Sequence, residues 1–286
     1  MSCGRFVKKT VMTQTESKIS VKSYPKINLA LDILKKTDSG YHEIQTIFNL
    51  LPFPADEISI ELNNDVEIEI SCDNPKVPLD NTNTALKAAK FLQENAGIKR
   101  GAKINIQKNI PLMSGLGGGS SNAAEVLKAL AQMWEIKCCA DGTHKNPQCV
   151  LRIIADQIGM DCSFFFYGGT ALGEHFGEKI TPFPTLPSEI KFEIIETGIE
   201  VSSRLAYQQL DVSKCGKNKA KTERLIKAVN TQNSQEILNN IHNDFEEFIF
   251  FAHPKLREIK ERELLKNPQS KIILCGSGGA LCRLYS

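Results

Sequence analysis

A glycine-rich segment near the middle of the chain has the composition of an anion-binding loop. Residues 111–122 read Pro-Leu-Met-Ser-Gly-Leu-Gly-Gly-Gly-Ser-Ser-Asn, after a strand-like run and before a run with helical spacing that starts at Ala123. Glycines allow a backbone to approach an anion, and the first turn of a helix offers unpaired N–H groups and a positive dipole end. Ser120, Ser121 or Asn122 is expected to cap that helix. The segment therefore predicts a phosphate-binding loop.

The spacing within this loop excludes two common nucleotide-binding motifs. No Gly-Lys-Ser/Thr follows the glycines, as a Walker loop requires. The dinucleotide pattern lacks its third glycine, because Ser120 takes that place. Asp141 lies at about the right distance for that pattern, but in a polar loop instead of at a strand end. A flexible turn before a helix is the remaining alternative to a phosphate loop.

The composition is that of an ordinary globular protein. The 286 residues are 41% hydrophobic and 24% charged, enough for one large domain or two ordinary ones. The net charge of +2 gives no reason to expect a nucleic-acid or membrane partner. Nine scattered cysteines without a Cys-x-x-Cys pair argue against a disulfide framework or a zinc site. We therefore expect a reduced, cytoplasmic setting.

Strands and helices follow one another without strict alternation, which predicts an α+β fold instead of a doubly wound sheet. Residues 58–62 and 66–70 alternate around Asn63-Asn64-Asp65, and this pattern predicts a hairpin. The aromatic run after Asp161 is interpreted as a strand, and residues 235–251 as one helix.

Three prolines within residues 181–187 mark the clearest candidate for a domain boundary. We therefore divide the chain into an N-terminal domain, 18–181, and a C-terminal domain, 182–286. Residues 1–17 lack an apolar signal core and are expected to form a disordered extension.

The glycine-rich loop also resembles the ATP-phosphate loop of the GHMP kinases. The extended form Gly-Leu-Gly-Gly-Gly-Ser-Ser-Asn-Ala-Ala is similar to that of the members that phosphorylate a cytidylyl alcohol. The resemblance runs from about Ile19 to Ser286 and includes further matches in the same order: Pro25-Lys26-Ile27-Asn28-Leu29, Gly40-Tyr41-His42-Glu43-Ile44, Asn83, Gly159-Met160-Asp161-Cys162-Ser163, Asn243-Asp244-Phe245-Glu246 and Gly276-Ser277-Gly278-Gly279.

This resemblance implies a two-domain α+β fold. It places ATP on an N-terminal domain that contains a left-handed βαβ crossover, against the usual right-handed rule. It makes the C-terminal domain a ferredoxin-like α/β sandwich. Members usually continue with a further helix beyond the position of Ser286, and we expect that helix to be missing.

The resemblance also assigns roles to individual residues. Asp161 is implied as the catalytic base and Lys26 as its partner. Asn28, Tyr41, His42 and Tyr207 are implied to bind the substrate. The expected ATP-binding residues are Asn83, Lys108, Pro111, Leu112, Met113, Ser114, Gly115, Leu116, Gly117, Gly118, Gly119, Ser120 and Ser121. For Asn83, a helix cap is the alternative role.

The function that the resemblance implies is the ATP- and Mg²⁺-dependent phosphorylation of a small cytidylyl alcohol in the non-mevalonate route to isoprenoid precursors. The metal ligands are left open, and a monomer or weak homodimer is expected. Two alternatives stay open: a GHMP kinase for a different alcohol, and a nucleotide-binding protein of the same fold without catalysis.

Overall fold

The computed structural model describes residues 17–137, 144–146 and 148–286. The strands are β1 (Lys18–Ser23), β2 (Lys26–Lys36), β3 (His42–Leu50), β4 (Asp56–Leu62), β5 (Ile68–Cys72), β6 (Ala102–Gln107), β7 (Thr170–His175), β8 (Lys179–Phe183), β9 (Lys191–Ile195), β10 (His242–Asn243), β11 (Lys271–Leu274) and β12 (Leu281–Tyr285). The helices are α1 (Thr84–Ala96), α2 (Gly118–Met133), α3 (Val150–Ile158), α4 (Phe164–Tyr167), α5 (Ser203–Gln209), α6 (Lys219–Asn230), α7 (Ser234–Asn240), α8 (Phe245–Ala252) and α9 (Pro254–Lys266).

Two of the features predicted from the sequence lie wholly or mostly outside the described residues. The extension predicted for residues 1–17 lies, apart from Ser17, outside the described residues. Asp141 lies outside them as well.

A four-stranded sheet in the order β1-β4-β6-β5 forms one face of the N-terminal region. Buried and exposed residues alternate along β1 and β6, so each strand turns one apolar side toward α1, α2 and α3. β5 and β6 run parallel, with α1 between them in the chain, and form a βαβ unit. The left hand of this crossover stays a prediction.

The predicted hairpin at 58–62 and 66–70 is wrong. The two segments form β4 and β5, but β6 lies between them and pairs with both. Alternation identifies a strand with one buried side, whereas it carries no information about the neighbouring strand. The pairing depends on α1, which returns the chain so that β6 lies parallel to β5.

A five-stranded sheet, β10-β2-β3-β7-β8, connects the two regions of the chain. β2 is buried over its first eight residues because helices and strands cover both of its sides. β8 spans the predicted boundary at 181/182, and β10 from the C-terminal region pairs with β2. The division into 18–181 and 182–286 stays a prediction.

The C-terminal region contains an antiparallel sheet in the order β11-β12-β9, with α8 and α9 packed against it. A single helix over 235–251 was the wrong prediction, because the chain forms α7, β10 and α8 there. His242 and Asn243 pair with β2, and Asp244 accepts a hydrogen bond from the Ile33 backbone N–H (3.0 Å). Sheet pairing therefore interrupts the helical pattern.

The aromatic run after Asp161 is the short helix α4, and not a strand. Four residues are too few to distinguish the two periodicities, and burial of all three phenylalanines fits either structure. The two-domain α+β organisation is otherwise as predicted. No helix in the described ranges is both long and apolar enough to cross a membrane.

Candidate active site

A cleft of about 900 Å³ lies at the glycine-rich loop. Its walls contain most of the predicted site residues, namely Lys26, Asn28, Tyr41, His42, Lys108, Pro111, Leu112, Met113, Ser114, Gly115, Gly117, Gly118, Gly119, Ser120, Asp161 and Tyr207. The volume lies within the usual range of ligand-binding clefts. The structure thus brings together residues from both halves of the chain.

The helix after the loop begins earlier than predicted. α2 starts at Gly118, and its N-cap is Gly117, which has a left-handed φ of 71° and no side-chain cap. Ser120, Ser121 and Asn122 lie inside the first turns and are not caps. The N–H groups of the first turn therefore belong to Gly118, Gly119 and Ser120, which lack an intrahelical partner. The end of the helix that can bind an anion therefore lies in the glycine cluster itself.

A second glycine loop, residues 275–280, packs directly on the first. A methyl group on Gly115 would lie 1.6 Å from the Cys275 carbonyl oxygen, and one on Gly278 would lie 1.9 Å from the Gly115 nitrogen. The Gly279 N–H donates to Met113 O (3.0 Å), and the Ala280 N–H donates to Ser114 O (3.1 Å). The close contact requires residues without side chains, and it fixes the start of the phosphate loop.

Three of the predicted ATP-binding residues do not line the cleft. Leu116 is fully buried in the core, and Ser121 is buried and accepts a hydrogen bond from the Ser23 hydroxyl (2.7 Å). Asn83 is the N-cap of α1 and accepts from the Ala85 (2.9 Å) and Leu86 (3.3 Å) N–H groups. Its neighbour Thr84 lines the cleft instead and donates to Gly119 O (2.8 Å).

Lys26 and Asp161 form an ion pair inside the cleft. Lys26 Nζ lies 3.1 Å from Asp161 Oδ2, although the two residues come from the start of β2 and a 3-10 turn at Met160–Ser163. The lysine side chain is 4% exposed and the aspartate 31%. The carboxylate is therefore the more accessible of the two groups, although both residues line the cleft.

A series of three hydrogen bonds holds the ammonium in place. Lys26 Nζ donates to Asn28 Oδ1 (2.8 Å), and Asn28 Nδ2 donates to Thr46 Oγ1 (2.8 Å). The Thr46 hydroxyl in turn donates to Ala30 O (2.6 Å). Sequence reasoning missed Thr46, because only the pairing of β2 with β3 brings it next to Asn28. The Asn28 amide, predicted to bind substrate, is used here to orient Lys26.

Side chains beneath the Asp161 turn fix its position. Arg152 Nε donates to Ser163 Oγ (3.0 Å), and the Ser163 hydroxyl donates to Asp156. Arg152 Nη2 also donates to Glu178 O (3.3 Å). Burial raises the pKa of the Asp156 carboxyl, against the opposing effects of Ser163 and Arg152. The turn is therefore supported by the hydrogen-bonded residues Arg152, Asp156 and Ser163, which the sequence pattern did not indicate.

An aromatic group occupies another part of the cleft. Tyr41 is 53% exposed and packs 5.4 Å from the ring of Phe176. The His42 ring lies 5.3 Å from Tyr207, which contacts Phe245 edge-on. Phe176 also lines the cleft, but its position after β7 gave no signal in the sequence.

His42 has the properties of a neutral ligand-binding histidine. Burial, and to a smaller extent the charge of Lys36, lower its pKa. Its Nε2 atom is buried and finds no hydrogen-bond partner among the described residues. A buried polar atom without a partner is costly, so a ligand that bonds to Nε2 would be favoured. For Tyr207, burial and then the charge of Asp161 raise the pKa of the hydroxyl.

A metal at this site would have few protein ligands. Within the described residues, no group of three or more His, Cys, Asp or Glu side chains could hold an ion. Asp161 and the hydroxyl of Ser120 are oxygen donors on the cleft wall. This set fits Mg²⁺ bound mainly by phosphates and water, which is the usual arrangement for that ion.

Comparison with known proteins gives a consistent result. The family profile described as GHMP kinases N terminal domain matches residues 83–169. A Caldicellulosiruptor bescii protein named 4-diphosphocytidyl-2-C-methyl-D-erythritol kinase is 35% identical over 268 residues, which are 93% of this chain and 89% of that protein. A Clostridium perfringens protein of the same name is 35% identical over 260 residues, or 91% and 86% of the two chains.

Solved structures share the fold. A crystal structure of 4-(cytidine 5'-diphospho)-2C-methyl-D-erythritol kinase matches with a TM-score of 0.70 and 27% identity, over 93% of this chain and 89% of that one. A homoserine kinase from Cytophaga hutchinsonii matches with a TM-score of 0.72 over 95% and 86% of the chains, but its 18% identity speaks for the fold alone. The chain belongs to the 4-diphosphocytidyl-2-C-methyl-D-erythritol kinase family of the GHMP kinases.

Proposed function

We propose that this chain transfers the γ-phosphoryl group of ATP to the 2-hydroxyl of 4-diphosphocytidyl-2-C-methyl-D-erythritol, in the non-mevalonate route to isoprenoid precursors. The observation that carries the proposal is the Lys26–Asp161 ion pair, which shares one cleft with the N-terminus of α2 and the Tyr41–His42 group. Phosphate binding, proton transfer and recognition of a flat base are thereby combined in a single site.

Asp161 is assigned as the base. Its carboxylate accepts the proton of the substrate hydroxyl. The oxygen of that hydroxyl forms a bond to the γ-phosphorus, and the bond from the γ-phosphorus to the bridging oxygen of ADP breaks. Lys26, fixed by Asn28 and Thr46, stabilises the negative charge on the oxygen and on the transferring group. Little covalent chemistry is required, so positioning accounts for most of the catalysis.

The phosphates of ATP are assigned to the backbone of residues 111–121. The unpaired N–H groups of Gly118, Gly119 and Ser120 point out of the end of α2 and match the negative oxygens of a triphosphate. Lys108 adds a cation on the same wall. Asn83 is assigned a structural role instead, because it caps α1 and does not line the cleft.

The cytidine group is assigned to Tyr41, His42 and Tyr207. Tyr41 presents an exposed ring on which a base can stack, with Phe176 supporting it from within the cleft. The free Nε2 of His42 can bond to the edge of the base. Arg204 and Gln208 of α5 also line the cleft and were not predicted.

Mg²⁺ is proposed as the metal, with Ser120 and Asp161 as the nearest oxygen donors and the phosphates as its main ligands. When bound, it neutralises charge on the β- and γ-phosphates. We also propose a cytoplasmic protein that is a monomer or weak homodimer. The six described cysteines, all free thiols, are consistent with a reducing compartment.

The test is to incubate the protein with the cytidylyl alcohol, ATP and Mg²⁺ and to detect the product by phosphorus NMR. Wild type should phosphorylate this substrate, and homoserine and mevalonate should not react. Asp161→Asn should lower kcat by a factor of about 10² to 10⁴, as expected for loss of a general base. Asp211→Asn, which changes an exposed acid away from the cleft, is the matched control.

Two results would contradict the proposal. Phosphorylation of homoserine or mevalonate without the cytidylyl alcohol would indicate a GHMP kinase for a different alcohol. Equal background turnover in wild type and Asp161→Asn would indicate a nucleotide-binding protein without catalysis.

A further inference from the structure

Asp56, the first residue of β4, is a fully buried carboxylate beside the phosphate loop. Its Oδ1 accepts hydrogen bonds from the backbone N–H groups of Asn109 (2.7 Å) and Ile110 (2.7 Å). Its Oδ2 accepts from the Asn122 side chain (2.8 Å) and from the ammonium of Lys108. One side chain thus connects β4, the segment that enters the loop, and the helix that leaves it.

Lys108 is held in an unusual place for a cation. Its side chain is only 6% exposed, and a methyl group on Gly118 would lie 2.9 Å from its Nζ atom. Gly118 is the first residue of α2, where the positive end of the helix dipole repels a cation. Asp56 supplies the negative charge that makes this position tolerable.

The ammonium retains the capacity to bind a ligand. A lysine has three N–H donors, and among the described residues Asp56 is its one hydrogen-bond partner. Lys108 also lines the cleft, next to the unpaired N–H groups of α2. An arriving phosphate would therefore find a cation already fixed in direction and largely desolvated, which strengthens the attraction.

The surroundings of Asp56 are rigid. Asn122 Nδ2 also donates to Ser23 Oγ (3.0 Å), and the Ser23 hydroxyl donates to Ser121 (2.7 Å). Ser23 and Ser121 are fully buried. The carboxylate therefore has no room to follow Lys108 if the lysine turns away, and it determines where the ammonium stays.

We propose that Asp56 is a positioning residue for ATP, acting through Lys108. It holds the Lys108 ammonium on the wall of the phosphate loop and balances its charge until the triphosphate binds. The inference rests on the proposed use of ATP by this site, and it adds a residue that contacts no substrate.

The experiment compares Asp56→Asn, Lys108→Met and the double variant with wild type. The KM for ATP, the KM for the cytidylyl alcohol and the Kd of ATP by calorimetry are measured. Asp56→Asn and Lys108→Met should each raise the KM and Kd for ATP by roughly tenfold, with the KM for the alcohol unchanged. In the Lys108→Met background, adding Asp56→Asn should change the Kd of ATP by less than about twofold, because the two residues act as a unit.

Asp244→Asn is the matched control. Asp244 also accepts two backbone N–H groups and one amide, from Ile33, Gly216 and Asn218, but it holds no cation in the described structure and is not on the cleft wall. This variant should leave the Kd of ATP within about twofold of wild type, since any effect would come from stability alone.

Several results would overturn the inference. They are an unchanged Kd in Asp56→Asn, an equal increase in the Kd for Asp244→Asn, or a full additional loss when Asp56→Asn is added to Lys108→Met. If Asp56→Asn alone does not fold, an unchanged Kd of ATP in Lys108→Met still overturns the inference, because Asp56 is proposed to act through that lysine. If wild type binds ATP but forms no product, the proposed kinase activity is refuted. The Kd values for ATP would still test the role of Asp56.

Discussion

Lys26 Nζ lies 3.1 Å from Asp161 Oδ2, and the lysine is almost fully buried while the aspartate is open to the cleft. The two members of the pair therefore differ in their access to solvent. The carboxylate is the more accessible group, and the ammonium is held in place through Asn28 and Thr46. Each residue can be tested separately.

Replacing Lys26 by methionine keeps the length of the side chain and removes the charge. We expect kcat to fall by about 10² to 10⁴, because the developing negative charge loses its cation, while the KM for ATP changes little. Steady-state kinetics with ATP varied separately from the alcohol would show this. A normal kcat in Lys26→Met would remove Lys26 from the mechanism.

Thr46→Val should act on catalysis from a distance. It removes the hydroxyl that supports Asn28, and we expect kcat to fall about tenfold through misplacement of Lys26. The free energy of unfolding should drop by about 1 kcal/mol, the usual net value of a buried hydrogen bond.

The control for Thr46 is Thr170→Val in the same sheet. Thr170 is also buried and donates to Asn49 Oδ1 (2.8 Å), but Asn49, unlike Asn28, does not line the cleft. The Thr170→Val variant should lose a similar free energy of unfolding, measured by chemical denaturation, and its kcat should be unchanged. Equal losses of kcat in both variants would mean that Thr46 has only a structural role.

Gly278→Ala should disturb ATP binding from the other glycine loop. The added methyl group would lie 1.9 Å from Gly115 N, so one of the two loops must move. We expect the Kd of ATP by calorimetry to rise at least about tenfold, since overpacked sites force backbone shifts. Gly198→Ala, with a φ of 70° and open space around it, should cost only about 1 kcal/mol of stability and leave the Kd unchanged.

Binding of the cytidylyl alcohol should weaken in acid because of His42. Burial lowers the pKa of this histidine, so the neutral ring persists at pH 7; protonation adds a charge to the ring and removes its one acceptor nitrogen. The KM for the alcohol should stay constant through the ordinary pKa of histidine and rise only at lower pH, because the pKa of His42 is lowered. The same shift means that stability contributed by neutral His42 is present above the unfolded pKa and is lost as the pH falls toward the folded pKa.

His42→Gln should remove this pH dependence, since glutamine offers a neutral hydrogen-bonding group at every pH. The KM for ATP, measured over the same pH range, is the internal control. A KM for the alcohol that rises equally in wild type and His42→Gln would assign the effect to a different group.

Local features of the fold were accessible from the sequence. Asn83 and Gly97 delimit α1 by the chemistry of caps, and Gly97 takes the left-handed conformation that favours glycine. The catalytic roles proposed for Lys26 and Asp161 came from the resemblance to a family, since neither residue has a local pattern that indicates catalysis.

Contacts between distant segments were not accessible. Thr46, Asp56 and Phe176 acquire their places only when β3, β4 and β7 enter their sheets. Hydrophobic alternation determines which side of a strand is buried, but not which strand lies beside it, and this explains the wrong hairpin. The start of α2 was misplaced for a local reason. Its first turn consists of glycines and serines, which are poor helix formers, so the sequence pattern does not indicate a helix there.

The interlocked glycine loops also impose an order in time on the formation of the ATP site. Met113, Ser114 and Gly115 take their native backbone contacts from residues 275–280. A ribosome has therefore completed the entire N-terminal region long before the phosphate loop can close. During synthesis these contacts can form only after residues 275–280 have left the ribosome and docked on the first glycine loop.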